Sequence, residues 1–214
     1  MWKEVMNIEA NIKIFEDLLT STNREGIEKL IEYCRTSDFY TAPSSTRYHL
    51  SVEGGLLQHS LNVYEVLKNL LNKEVDGLYS YVCAGKTIDK ITEDNLIIMS
   101  LLHDICKVKY FGTEVRNKKN EDGVWVKYNA YTVDEQFPFG HGEKSVFILN
   151  NYIKLNPNEA MAIRWHMGFP DDFQGKQAYG KAVEKCPVIL ALHTADMMAS
   201  RFVEGTSSNK ELFI

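Results

Sequence analysis

The sequence predicts an all-α helical bundle carrying one inserted β-hairpin, and three observations carry that expectation. Apolar residues recur at helical spacing along most of the 214 residues. One stretch, residues 93–107, is apolar nearly all round and belongs at the centre of a fold. Strand-like alternation about a tight turn occurs convincingly once, at about residues 113–133.

The chain opens with two amphipathic helices. Val5, Ile8, Ile12, Phe15, Leu18 and Leu19 line one face over residues 4–20, and Ile27, Leu30, Ile31 and Cys34 line another over residues 24–34. A loop from Thr41 to Ser51 leads past Pro43 to the pair Gly54-Gly55 and a helix from about Leu56 to Leu71. The central helix ends in His103-Asp104-Ile105-Cys106-Lys107. In the hairpin Asp122-Gly123 makes the turn, and Val124, Val126, Tyr128 and Ala130 alternate after it. Gly140-His141-Gly142-Glu143 opens a helix carrying Val146, Phe147, Leu149 and Ile153. Asn156-Pro157-Asn158-Glu159 supplies an N-cap, a proline at the first helical position and a glutamate at the third, for a helix that carries His166 near its end and stops at Gly168. A last helix, about Pro187 to Val203, includes Val188, Ile189, Leu190, Leu192, Ala195 and Met198.

Length sets a prior of one domain, or one domain with a small appendage, and the pattern divides the chain into an N-terminal helical extension at 1–40 and a main domain at 41–214. With 44% apolar and 25% charged residues the chain is not disordered. Its longest nearly apolar run, Leu96 to Leu102, is far short of the roughly 18–20 residues of a membrane helix. Met1 to Asn7 lacks the features of a signal peptide, so a cytoplasmic location is expected. Cys34, Cys83, Cys106 and Cys186 form no C-x-x-C and read as reduced, mostly buried thiols. A formal charge of −5 gives no general attraction to duplex nucleic acid or an acidic membrane, so any phosphate binding must be local.

Five of the six histidines, with two aspartates, fall at the ends or inside of apolar helices, where an unpaired ionisable group is costly. Imidazole and carboxylate groups buried together satisfy one another most economically by sharing a divalent cation. At about 100° per residue, Lys107 falls between His103 and Asp104, so all three can serve one pocket. His59 shares a core-facing stripe with Leu56, Val63 and Leu70, and Asp196 lies inside the apolar run of the last helix. The positive end of the helix after His141 keeps that ring neutral, as a ligand must be. His166 reads either as a ligand or as a cation at a helix C-terminus, and His193 either as a group orienting a ligand or as a core histidine.

The series His59, His103-Asp104, His141, His166, Asp196 resembles the HD-domain superfamily of metal-dependent phosphohydrolases in its binuclear form. Gly54-Gly55-Leu56-Leu57-Gln58-His59 and Leu101-Leu102-His103-Asp104-Ile105-Cys106-Lys107 look like the family's local motifs, and Arg47-Tyr48-His49 resembles the loop preceding the first of them in an exoribonuclease branch. The resemblance spans roughly residues 43–200, leaving out the hairpin. It implies two divalent ions, with Asp104 bridging them, His59, His103 and Asp196 on one, and His141 and His166 on the other. It further implies phosphoester hydrolysis by a metal-activated water, on a nucleotide or short oligonucleotide. Histidine-rich ligation favours Mn, Fe, Co or Zn over Mg. A catalytically idle module that binds metal and nucleotide as a sensor, and a di-iron oxygenase with a similar ligand set, are the competing readings.

Lys107 reads either as a group that binds a phosphate or stabilises a transition state or as a solvated lysine at a helix C-terminus. Arg47 and Arg164 read as phosphate clamps or as surface salt bridges, and Glu143 as a general acid or, preferably, a first-turn helix residue. Arg116, Lys118, Lys119, Trp125, Tyr128 and Tyr131 make the hairpin either a lid that stacks a base or a packed hairpin with a solvated basic edge.

Overall fold

The computed structural model describes residues 7–73, 77–170 and 172–204, and among these the chain is mainly helical. Val5 and the first six positions lie outside the described residues, as do residues 205–214 of the expected main domain. Helices α1 (Ile8–Ser21) and α2 (Ile27–Thr36) bury Phe15, Leu19, Leu30 and Cys34 in the same hydrophobic cluster as the rest of the molecule. Helix α3 (Gly55–Leu70) and helix α4 (Glu93–Leu102) form its centre, with every residue of α4 from Leu96 to Leu102 buried. Helix α5 (His141–Leu149), helix α6 (Pro157–Trp165), helix α7 (Phe173–Lys185) and helix α8 (Val188–Met198) complete the bundle, and α3 packs on α1, α4 and α8. None of the described helices is long and apolar enough to cross a membrane.

The predicted hairpin is present as β4 (Phe111–Lys119) and β5 (Trp125–Val133), paired antiparallel from Phe111 opposite Val133 to Lys119 opposite Trp125. It is not the sole β structure. Strands β1 (Asn72–Lys73), β2 (Tyr79–Cys83) and β3 (Lys86–Ile91) form a three-stranded antiparallel sheet, turned at Ala84-Gly85. Both turn residues have positive φ, 50° and 75°, the geometry that matches the twist of a two-residue hairpin. Helix α7 was not expected either; Asp172 caps it, yet Tyr179 is the one residue it buries, so its apolar periodicity is faint.

Several helix ends also move. Helix α4 stops at Leu102 with His103 as C-cap, and Ile105–Lys107 is a 3-10 turn, not a continuation to residue 107. The Ser145 hydroxyl donates to the His103 carbonyl at 2.6 Å, occupying the acceptor that a further α-helical turn would use. Helix α5 ends at Leu149, short of Ile153. Beyond α8 the chain widens into a π-helical turn, Ala199–Val203, that delivers Glu204. Helix α6 keeps its expected N-terminus: Asn156 and Glu159 form a reciprocal capping box around Pro157.

That capping glutamate also ties the opening helices to the bundle. Glu159 is fully buried and takes two bonds from Arg24, 2.8 and 2.5 Å, and one from Asn95 Nδ2 at 2.8 Å. Three chain segments therefore meet on one carboxylate. Cys34, Cys106 and Cys186 are buried free thiols.

Candidate metal centre

Each of the six expected ligands reaches one buried locus, by identifiable local means. The backbone of Gly55 lies against the Leu50 carbonyl so closely that a Cβ would overlap it, which seats the start of α3 and, one turn on, His59. Likewise a Cβ on Gly142 would overlap the Arg164 carbonyl, so α5 and α6 meet backbone to backbone and bring His141 beside His166. The imidazoles form a continuous row, with centroid separations of 5.4 Å for His59–His103, 4.9 Å for His103–His166 and 5.3 Å for His166–His141.

Asp104 stands between them. Its Oδ1 is 2.7 Å from His141 Nε2 and 3.5 Å from His166 Nε2, while its Oδ2 is 3.6 Å from both His59 Nε2 and His103 Nε2. One carboxylate oxygen thus faces each histidine pair. Asp196 Oδ1 approaches His59 Nε2 at 3.2 Å. Lys107 Nζ sits 2.6 Å from Asp104 Oδ2 with 13% of its side chain exposed, so it reaches the centre although the chain has left the helix on which its position was reckoned.

The hydrogen bonds select the tautomers. His103 and His166, each the C-cap of its helix, donate Nδ1–H to the carbonyl three residues earlier, Ser100 at 2.8 Å and Ile163 at 2.6 Å. His59 donates Nδ1–H to Glu204 at 2.9 Å. The Nε2 atoms of His59, His103 and His166 are left buried and without a hydrogen-bond partner. Buried polar atoms are rarely orphaned, and imidazoles anchored at one nitrogen with the other free are arranged as metal ligands are. His59, His103 and Asp104, then His103, His166 and Asp196, then Asp104, His141 and His166 each offer ligand atoms within 4.8 Å of one another. The residues therefore fit divalent cations.

Electrostatics agree with that donor set. Burial would raise the Asp104 carboxyl, but Lys107 and the surrounding histidines hold it well below the usual carboxylate range. Burial opposes the charge on Asp196 as well, and the His59 and His103 imidazoles beside it outweigh that, so this carboxyl too is pushed down. Burial drives His103 down to about 4, keeping it neutral. For His59 burial is outweighed by Asp196 and Glu204, which raise it to about 9 in the metal-free protein. Cys106, its Sγ 3.5 Å from His141 Nδ1, is pushed up to about 12 by burial and stays a thiol.

His141, with 29% of its side chain exposed, lies at the outer end of the row. His193 donates to the His166 carbonyl at 2.7 Å and so steadies the turn carrying that candidate ligand. Arg164 pairs with Glu143 at 2.6 Å, lies over the Trp165 ring and lines an apolar groove of about 430 Å³ with Phe139, Phe147 and Met161. Glu143 is thereby engaged as a first-turn helix residue. Arg47 lies in a separate cleft against the hairpin. Three further residues were not expected: His49, whose ring is 5.1 Å from that of His59, Glu204, and Asn62, whose Nδ2 donates to Glu204 at 2.9 Å. His49, His59 and Glu204 form a fourth set of potential ligands. No protein-family model, curated protein or solved structure matches the chain.

Proposed function

We propose that the chain is an HD-type, metal-dependent phosphohydrolase acting on the phosphoester of a nucleotide or short oligonucleotide. The observation that carries this reading is the division of Asp104, one oxygen toward His141 and His166 and the other toward His59 and His103, with three unpartnered imidazole nitrogens around it. His59, His103 and Asp196 would hold one divalent ion, His141 and His166 the other, and Asp104 both. Such ions supply Lewis acidity, lowering the pKa of water and neutralising charge on a phosphoryl oxygen.

The chain's own groups prepare that chemistry. Lys107 keeps Asp104 ionised and places a compact cation where a phosphate oxygen can take it as a partner. Burial of the row excludes bulk water and makes each charge worth more than it would be at the surface. The partly exposed His141 leaves an approach at its end of the row.

The test is hydrolysis of nucleoside mono- and triphosphates, cyclic dinucleotides and short RNA or DNA with added Mn²⁺, beside Asp104→Ala. The expected result is metal-dependent turnover that falls at least about 10³-fold in the variant, the scale of losing a principal electrostatic contribution. Protein shown to hold two metals per chain yet inert on the whole panel would overturn the reading, and oxygen uptake by its reduced iron form would replace it with oxygenase chemistry.

A further inference from the structure

The loop leading into α3 faces two ways. Inward, it sets His49 against His59 with His49 Nε2 buried and unpartnered. Outward, Thr46, Arg47 and Tyr48 form one wall of a cleft of about 490 Å³, and Arg116, Tyr131, Thr132 and Val133 of the hairpin form the other. That volume lies in the range of small-ligand sites.

The lining has a definite chemistry: two guanidinium groups, two phenols, two hydroxyls and no carboxylate. Arg47 lies beside the Tyr48 ring, 5.4 Å from its centroid, and has no ion-pair partner among the described residues. Arg116 gives only its Nε to Glu114, leaving its outer nitrogens for a ligand. Tyr48 is 72% exposed, and an exposed aromatic beside a guanidinium is how single-stranded nucleic acid is held. The loop is also firmly shaped. Ser45 Oγ donates to the His49 carbonyl at 2.8 Å and accepts from Tyr48 N at 2.9 Å, while Leu50 is held at φ 43° in the left-handed region. A residue with a side chain is strained there, and the surrounding bonds hold it in place.

We propose that this cleft binds a second phosphate of the substrate, next to the one at the metal centre, so that the preferred substrate is a single-stranded dinucleotide or longer strand. The inference rests on the phosphohydrolase reading of the centre. Arg47 and His49 are two residues apart, so at most about 7 Å of backbone separates a guanidinium of the cleft from the histidine whose ring lies 5.1 Å from that of His59. A nucleoside monophosphate has one phosphate and can serve one site only. A strand has a phosphate for each, and unpaired bases for Tyr48 and Tyr131. In a chain of net charge −5 the two arginines confine the attraction to this place.

Two measurements test it. The first compares kcat/KM for a 5′-phosphorylated dinucleotide with that for bis(p-nitrophenyl) phosphate, in wild type, Arg47→Ala and Arg116→Ala, with Mn²⁺. The ratio is expected to fall at least tenfold in each variant, through KM; an unchanged ratio overturns the cleft. The second needs no turnover: fluorescence anisotropy of a labelled single-stranded pentanucleotide in EDTA at several salt concentrations. Each arginine removed should lower the slope of log K against log salt by about 0.7, whereas Tyr48→Ala should weaken binding with the slope retained. Slopes unchanged in both arginine variants overturn the proposal. If wild type hydrolyses neither substrate while the slopes still fall, the cleft stands and the phosphohydrolase reading is what fails.

Discussion

His103 and His166 reach the centre by the same device, a helix C-cap imidazole tethered to the carbonyl three residues before it. His59 sits mid-helix, where no free carbonyl is available, and Glu204 does the tethering instead. Glu204→Gln keeps the shape and removes the charge, so Mn²⁺ affinity measured by calorimetry should fall about 10–100-fold. Unchanged affinity would show that Glu204 merely packs. The six candidate ligands were legible because five of them place a polar group where an apolar helix makes it costly and His141 stands at the start of another. Glu204 carried no such signal: a glutamate following an apolar helix reads as a solvated end, and its partner is 145 positions away. His49 had only its place in a basic loop to mark it, and Asn62 nothing.

Among the elements, α6 shows how one cap serves the whole bundle. Arg24→Met leaves Glu159 buried with the amide of Asn95 and its own cap as remaining partners, and should lower unfolding free energy in urea by about 3–5 kcal/mol, the cost of stripping one member from a buried ion pair. A loss below about 1 kcal/mol would mean that those neutral donors suffice. Strong apolar periodicity made α1 to α3 legible, a run apolar on nearly every face did so for α4, and the Asn-Pro-x-Glu start for α6. The β1–β3 sheet was missed because its third strand, Lys86–Ile91, is largely polar, leaving the Ala84-Gly85 turn as its clearest sign. The early end of α4 depends on a hydroxyl from α5, which no reading of α4 alone can supply.

Across the whole molecule, the candidate ligands come from α3, the turn after α4, α5, α6 and α8, so cations bound there would join most of the bundle. At a free metal concentration 100-fold above Kd, binding adds about 2.7 kcal/mol to stability. For a chain of this size that should raise Tm by about 5–10 °C in Mn²⁺ or Zn²⁺ relative to EDTA. Asp104→Ala should abolish the rise, and a rise retained in the variant would place the binding elsewhere.

The spread of those ligands also sets an order of events during synthesis. His59 leaves the ribosome about 140 residues before Asp196, a delay of about 10 s at roughly 5–20 residues per second. Helices α3 and α4 can pack meanwhile, but their histidines face a gap until α8 arrives. Five of the six candidate donors thus emerge before α8, and the set of Asp104, His141 and His166 is complete without it, so the set that includes Asp196 is the last to be assembled.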